Sequence, residues 1–320
     1  MTNKKFRLAA MSLATAVAVS AVGPSASAVT YYLDEGSVTV GKDENRGAFS
    51  YQGEDKDENR TYVDEDTEDN GQIIIKQAEG TTTDNTVTVK EDVTNKNGER
   101  DVDIIIDGVN VDTSKDSSAG GGEEIPPSES KDDNTVIKVG EGSDVNITVK
   151  DSNLTTGGNG IDVGANLEGE DEHKDTNVDL TLDDTTINLT ENATAGVNAR
   201  DNSDVDIALK GDNIIDGSGA IDTVTKGGEQ DISKENVNIE GIRVGGEGAS
   251  DSSDASAGAE TNLTISGGVT DSTTEEGGSL TIRDTTGGLV MAEGSDVEIT
   301  DGADVTIENT KTSGSTQAGR

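Results

Sequence analysis

The 320-residue sequence has no cysteine, no tryptophan, one histidine, three prolines and only 2% aromatic residues. Without cysteine there is no disulfide staple, so order must come from hydrogen-bonded ladders and packing. Without large rings a core built on aromatic anchors is excluded, and any core is aliphatic. One histidine and no thiol make a transition-metal centre poorly supplied with ligands. No serine has a base and an orienting group near it in sequence, so nucleophilic catalysis has no visible set of residues. Basic residues are scarce too. Sixty-five Asp and Glu stand against 24 Lys and Arg, a formal charge of -41. That field repels a phosphate backbone and an anionic lipid surface, which excludes nucleic acid as a partner.

What is present falls into three kinds of segment. The first is N-terminal: Lys4, Lys5 and Arg7 precede an apolar run from Leu8 to Val22, and Ala26-Ser27-Ala28 follows. The order of charge, apolar run and small residues reads as a signal peptide over 1–28, and the run is shorter than the roughly 20 residues that span a bilayer. The mature chain is expected to be secreted and to carry no integral membrane segment. The second kind is alternating Val/Ile/Leu strands, which can bury apolar surface. The third is Asp/Glu/Gly/Ser loops, which cannot.

The strands recur as a unit. Gly142-Ser143-Asp144-Val145-Asn146-Ile147-Thr148-Val149 shows a small-residue turn followed by period-two alternation, and Leu154 adds one more apolar position. Gly36-Ser37-Val38-Thr39-Val40, Ser203-Asp204-Val205-Asp206-Ile207, Gly278-Ser279-Leu280-Thr281-Ile282 and Gly294-Ser295-Asp296-Val297-Glu298-Ile299 repeat its first half. In fuller copies an apolar-x-apolar strand comes first. Ile137 and Val139 lead to Val145, Ile147, Val149 and Leu154; Ile161 and Val163 lead to Val178, Leu180, Leu182 and Ile187; Val197 and Ala199 lead to Val205, Ile207, Leu209 and Ile214. Val87 and Val89 open an earlier copy that ends at Val111, and Leu289 and Met291 open the last. Ile221, Val224, Val237 and Ile239 suggest one more irregular coil.

Period two means strands, and recurrence means stacked coils, because one such coil cannot bury enough to stand alone. The expected fold is all-β: a right-handed single-stranded parallel β-helix of about eight coils with loop insertions. A sandwich of antiparallel hairpins would need two-residue Asn-Gly or Asp-Gly turns. Asn97-Gly98, Asp107-Gly108 and Asp301-Gly302 occur without recurring at one aligned corner, whereas Gly-Ser recurs.

Insertions between Val89 and Val102, Val163 and Val178, and Val244 and Leu263 enter at one corner, and Asp112 to Asp133 at another. All five mature aromatics, Tyr31, Tyr32, Phe49, Tyr51 and Tyr62, precede residue 63. Residues 29–72 therefore read as an N-terminal cap with an acidic loop, 73–309 as the β-helix and 310–320 as a tail, the aromatics covering the open end or forming a small patch for sugar or peptide.

Outward-facing Asp103, Asn146, Asp179 and Asp206 should stack on successive coils. Neighbouring carboxylates about 4.8 Å apart repel by roughly 1 kcal/mol in water, which a structural Ca²⁺ would relieve. Asp107, Lys150, Asp183 and Lys210 should form a second column that alternates in sign. Gly157-Gly158-Asn159-Gly160-Ile161-Asp162 matches half of the calcium-binding nonapeptide of repeat toxins, with Gly164 where that motif has an apolar residue, and adds Asp162 to the candidate metal ligands. His173 sits in an acidic insertion and reads as an exposed loop histidine.

The strand-Gly-Ser-strand coils behind a signal peptide resemble the pectin-lyase-like parallel β-helices of secreted and surface-attached bacterial proteins, including adhesin-type repeat proteins, over roughly residues 73 to 309. The resemblance implies fold more than activity. Its polygalacturonase-like enzymes carry Asn-x-Asp, Asp-Asp, Gly-His-Gly and Arg-x-Lys elements. Here Asp183-Asp184 and Gly241-Ile242-Arg243 are fragments, Gly-His-Gly is absent and Val244-Gly245 replaces the lysine element. Its lyases use Ca²⁺ with a catalytic Arg or Lys, and Arg243 is the only arginine between Arg200 and Arg283. Neither catalytic set transfers. The expectation is a secreted, non-catalytic extracellular or cell-surface spacer or adhesin-like module whose partners are host or extracellular glycan, protein or cell wall. The alternative is a polysaccharide-binding or polysaccharide-degrading lyase or hydrolase.

Overall fold

The computed structural model describes residues 29–42, 49–54, 59–63, 72–91, 93, 102–114, 134–167, 174–220, 239–245, 261–267 and 277–310. The apolar run 8–22, His173 and most residues of the acidic insertions lie outside them. Among the described residues, no helix is long and apolar enough to cross a membrane.

The described residues begin with β1 (Val29–Tyr32), a 3-10 turn (Leu33–Glu35), β2 (Val38–Lys42), β3 (Phe49–Glu54) and β4 (Asn59–Val63), then β5 (Ile73–Lys76) and β6 (Val87–Val89). Three-strand circuits follow. They are β7 (Val102–Asp107), β8 (Asn110–Asp112) and β9 (Ile137–Gly140); β10 (Asp144–Lys150), β11 (Asn153–Thr156) and β12 (Asn159–Ala165); β13 (Thr176–Asp183), β14 (Thr186–Leu189) and β15 (Ala195–Ala199). Next come β16 (Ser203–Lys210), β17 (Asp212–Asp216) and β18 (Glu240–Val244), then β19 (Thr261–Gly267), β20 (Ser279–Arg283) and β21 (Gly287–Met291), and finally β22 (Ser295–Thr300) and β23 (Asp304–Glu308).

These strands make three sheets. The first has eight strands in the order β1-β5-β7-β10-β13-β16-β19-β22; the second, six strands, runs β8-β11-β14-β17-β20-β23; the third, nine strands, runs β4-β3-β2-β6-β9-β12-β15-β18-β21. From β7 onward each circuit visits the first, second and third sheet in turn, and each strand pairs in parallel with its counterparts one circuit away. Among the described strand pairs only β2-β3 and β3-β4 are antiparallel.

Alternation decides which side chains enter the core. In β10 the burial pattern places Val145, Ile147 and Val149 inside, and register aligns them with Val178, Leu180 and Leu182 of β13 and with Val205, Ile207 and Leu209 of β16. The result is one continuous aliphatic core of buried side chains from Leu33 to Ile282. Bends are local in origin. Five first-sheet strands are followed by a residue with left-handed backbone, at Gly108 (φ 68°), Asp151 (48°), Asp184 (50°), Gly211 (60°) and Asp301 (51°), and every one is Gly or Asp, which tolerate that region. At the opposite end of those strands a small hydroxyl residue is buried at Ser143, Thr176, Ser203 and Thr261. Ser143 Oγ donates to the Lys90 carbonyl at 2.8 Å, and Thr176 Oγ1 accepts from Gly142 N at 3.1 Å. Such bonds satisfy backbone groups that the turn takes out of the ladders.

Three expectations need correction. The five small-residue copies are not equivalent, because Gly36-Ser37 leads into β2 of the third sheet and Gly278-Ser279 into β20 of the second. Every bend calls for small residues before an alternating strand, so all three sheets share one local pattern. Second, the coil expected from Ile221, Val224, Val237 and Ile239 is not interposed in the described stack, where β17 pairs directly with β14 and β20 and β18 with β15 and β21; residues 221–238 lie outside the described residues. Third, Ile215, not Ile214, takes the inward position opposite Ile187, and it is 1% exposed. Gly211 to Ile214 is one residue longer than the equivalent stretch from Asp151 to Asn153, and buried Asn213 fills the corner. Its Nδ2 donates to the carbonyls of Lys210 (2.9 Å) and Ser279 (3.1 Å), and its Oδ1 accepts from Thr185 N at 3.0 Å.

Insertions between β6 and β7, β12 and β13, and β18 and β19 join the third sheet to the first, whereas those between β8 and β9 and between β17 and β18 join the second sheet to the third. The third sheet is thus bordered by insertions at both ends of its strands. At the N-terminal end, the antiparallel register aligns Val40 with Tyr51 and Tyr51 with Tyr62.

The slip at residue 214 is testable. Ile215→Ala should cost about 2–5 kcal/mol in urea unfolding, as a buried truncation does, and Ile214→Ala less than about 1 kcal/mol. The reverse order would restore the register expected from sequence.

Candidate functional site: the outer face of the third sheet

Four sequence copies build this face: Gly160-Ile161-Asp162-Val163, Gly196-Val197-Asn198-Ala199, Gly241-Ile242-Arg243-Val244 and Gly288-Leu289-Val290-Met291. The two aliphatic positions turn inward and the third residue outward. The glycine is required by contact between circuits. A Cβ at Gly160 would lie 2.6 Å from Ile187 Cγ2 and 2.5 Å from the Gly196 carbonyl oxygen; at Gly196 it would lie 2.6 Å from Ile215 Cγ2, and at Gly241 2.2 Å from Ile282 Cγ2. Each glycine therefore seats an isoleucine of the following circuit.

Register places the outward residues in one column, Lys138, Asp162, Asn198, Arg243 and Val290. Although outward by alternation, Asp162 and Asn198 are both 0% exposed. Arg200 holds the carboxylate in a two-point bond, Nε to Oδ1 at 2.9 Å and Nη2 to Oδ2 at 2.7 Å, and Asn198 Nδ2 donates to the same Oδ1 at 2.9 Å. One circuit on, Arg243 Nε donates to Oε2 of buried Glu240 at 2.6 Å. Fork-to-carboxylate geometry on a buried carboxylate makes these strong, specific pairs, and a carboxylate so buried needs its cation. Asn198 Oδ1 and Asn159 Oδ1 are buried without a donor. They are the open acceptors of the face.

A third arginine pair lies on the second sheet. Arg283 Nη2 and Nε donate to Asp216 Oδ2 at 2.6 and 3.0 Å. Every arginine whose side chain is described thus engages a carboxylate. For Asp216, burial alone would raise the pKa, but bonds from the Ser218 backbone, Arg283 and the Ser218 hydroxyl, with the Arg283 charge, together hold it below the usual carboxylate range. Asp183 behaves oppositely: burial first, then Asp184, raise its pKa, and Lys150 and Lys210 counter them only in part.

The candidate ligands from sequence separate. Asp103, Asn146, Asp179 and Asp206 do align as successive rungs of the first sheet. Asn146 is interposed and donates its Nδ2 to Asp103 Oδ1 at 2.9 Å, so only Asp179 and Asp206 adjoin as carboxylates. Asp162 stands on another sheet with both oxygens occupied. Among the described residues no three Asp, Glu or His converge, and two carboxylates fall short of the six to eight oxygens Ca²⁺ takes. The Gly157-Gly158 half-motif is the bend into the third sheet, where Gly158 N donates to Thr156 Oγ1 at 3.0 Å. Asp183-Asp184 closes a first-sheet strand, on a different sheet from Arg243.

The charge-alternating column is present in full register, Asp107-Lys150-Asp183-Lys210, and Lys76 extends it with a 3.2 Å bond to Asp107. The Arg200, Asn198 and Glu240 cluster was absent from the sequence expectation. The repeated Gly-aliphatic-x-aliphatic unit, aligned on its third residue, was the signal that could have revealed it.

Two outcomes follow. Arg200→Ala should destabilise by about 3–5 kcal/mol, the cost of stranding a buried charge, and Asp162→Ala with Arg200→Ala by less than Arg200→Ala alone, read by urea unfolding. For the titrating pair, Asp216 has a lowered folded pKa, so its stabilisation is present above the unfolded value and lost as pH falls through the folded one. Asp183 has a raised folded pKa, so its contribution is favourable at low pH and is lost as pH rises through the folded value. At pH 7, Asp216→Asn should lose about 1–3 kcal/mol, a difference from wild type that shrinks as the pH falls, and Asp183→Asn should lose none. Comparison of the chain with protein-family models, with curated proteins and with solved structures returns no match.

Proposed function

We propose that the chain is a right-handed single-stranded parallel β-helix of about eight coils, by the eight strands of its first sheet, exported from a bacterial cell to act outside it as a non-catalytic spacer or adhesin-type module. Right-handed winding is the form that parallel strand-to-strand crossovers take. The observation that carries the non-catalytic reading is the state of the third-sheet carboxylates. General acid or base work needs a carboxyl group within reach of substrate and able to change protonation. Asp162 and Glu240 are instead buried against Arg200 and Arg243. What remains outward on the first sheet is a set of short polar ladders, suited to holding coils in register and presenting loops from their corners. The partners proposed are extracellular glycan, host protein or cell wall.

Binding of the folded protein to arrays of glycans, matrix proteins and cell-wall fragments is the test. Binding to one class identifies the adhesin role, and none reduces the role to spacing. A second reading, polysaccharide binding or cleavage, has one observation in its favour: two arginines, the buried acceptor Asn198 Oδ1 and two carboxylates share a face bordered by insertions. Incubation with neutral and uronic-acid polymers, with and without Ca²⁺, should release no product. Product formation abolished by Arg243→Lys would replace the non-catalytic reading.

A further inference from the structure

The outer faces of the first and third sheets differ in access. On the third sheet Asp162 and Asn198 are sealed, whereas the outward side chains of first-sheet strands β7, β10, β13 and β16 are all half-buried or exposed. Each of those four strands is followed after one or two residues by its second-sheet strand, so no insertion stands on that border of the face.

Three columns run along it. Nearest that border stand Tyr32, Lys76, Asp107, Lys150, Asp183 and Lys210. The middle column is Thr30, Ile74, Ile105, Thr148, Thr181 and Ala208, uncharged throughout, with a methyl group on every member. The third holds Asp103, Asn146, Asp179 and Asp206. Two adjoining isoleucines, Ile74 and Ile105, thus lie on the solvent side of a face framed by charge, the make-up of an interface core with a polar rim.

The signs select the occupant. A column of alternating sign complements itself when a second copy lies face to face with its rod reversed and the two-fold axis falls between circuits. With that axis between β7 and β10, Asp107 faces the partner's Lys150, Lys76 faces the partner's Asp183, and exposed Tyr32 faces the partner's Lys210. The middle column then sets Ile105 against the partner's Thr148 and Ile74 against the partner's Thr181. The third sets Asp103 against the partner's Asn146 and Asp179 against the partner's Gln72, the residue before β5, so no two of these acids are opposed. Other alignments fare worse. An axis through β10 opposes Lys150 to its own copy and Asp107 to the partner's Asp183. Moving the axis one circuit on, between β10 and β13, opposes Asp103 to the partner's Asp206, and a two-fold along the rod opposes Asp103 to the partner's Asp107. With three Lys against five Asp, the face is also nearer to balance than the chain's 24 basic against 65 acidic residues, which limits the repulsion between two such chains. Six circuits about 4.8 Å apart and five strand residues of about 3.3 Å make a plane of roughly 500 Å² per copy, the small end for a specific interface.

We propose that the first-sheet face from Thr30 to Lys210 docks a second copy of this chain, rods antiparallel, about a two-fold axis that runs along the strands between β7 and β10. Ile74 and Ile105 form its apolar centre, and the Lys-Asp column fixes its register.

Sedimentation of the full chain from about 1 μM to about 1 mM should show a monomer–dimer equilibrium with a Kd on the order of 10 μM. Ile105→Glu should weaken it by roughly tenfold or more. Asp107→Lys and Lys150→Asp, each alone, should do the same, because each opposes like charges twice across the axis. Mixed in equal amounts, these two variants should associate about as tightly as the unaltered chain, since every opposed pair at those positions is then Lys with Asp. All three positions are outward, so the fold is expected to survive, with urea unfolding as the check. Where Asp107→Lys or Lys150→Asp does not fold, Lys76→Asp mixed with Asp183→Lys is the equivalent pair, and Thr148→Arg stands in for Ile105→Glu. A chain that stays monomeric at about 1 mM, a dimer indifferent to Ile105→Glu, or no recovery on mixing overturns the proposal.

Discussion

Backbone pairing between successive circuits is the constraint on which the rest of this molecule depends. A single circuit contributes a few Val, Ile and Leu side chains and leaves two rows of peptide groups unpaired, which does not offset the entropy of ordering it. Stacked, the same circuit buries those side chains against two neighbours and satisfies its N-H and C=O groups in parallel ladders. The core from Leu33 to Ile282 is therefore a property of the stack. With the circuits spaced about 4.8 Å apart, side chains at equivalent positions must also meet their own kind, and each column becomes a choice of like, opposite or neutral neighbours.

The columns show how an acidic chain manages that choice. Lys76, Asp107, Lys150, Asp183 and Lys210 alternate, and Asn146 separates Asp103 from Asp179 while donating to the former. Arginine is used for carboxylates that lie deeper, where an unpaired charge would be costly: Arg200 on Asp162, Arg243 on Glu240 and Arg283 on Asp216. The geometry also narrows function. A face with two arginines and two carboxylates looks chemically equipped until the bonds are traced, after which its open features are two buried amide acceptors and the insertions at its borders.

Strand positions and the identity of inward residues were legible from the sequence, because period-two alternation of Val, Ile and Leu has one physical reading. So was the Asp107-Lys150-Asp183-Lys210 column, since copies aligned on their apolar positions also align outward residues. The mistakes have a common cause. Ile214 was placed inward because one extra residue before a strand leaves the alternation intact on either phase, and only the bonds of Asn213 show which phase holds. Gly36-Ser37 and Gly278-Ser279 were matched to a first-sheet corner because every corner asks for small residues.

Composition and periodicity by themselves determined an aliphatic, all-β, stacked chain with polar loops, because each of those follows from local chemistry. Tertiary structure alone decided which sheet each strand joins, that Asp162 is buried beneath Arg200 from the next circuit, and that Ile299 and Ile307 are half exposed. Those facts depend on which distant segments lie one circuit away, as Asp162 and Arg200 do at a separation of 38 residues, and insertions of unequal length change that separation from circuit to circuit.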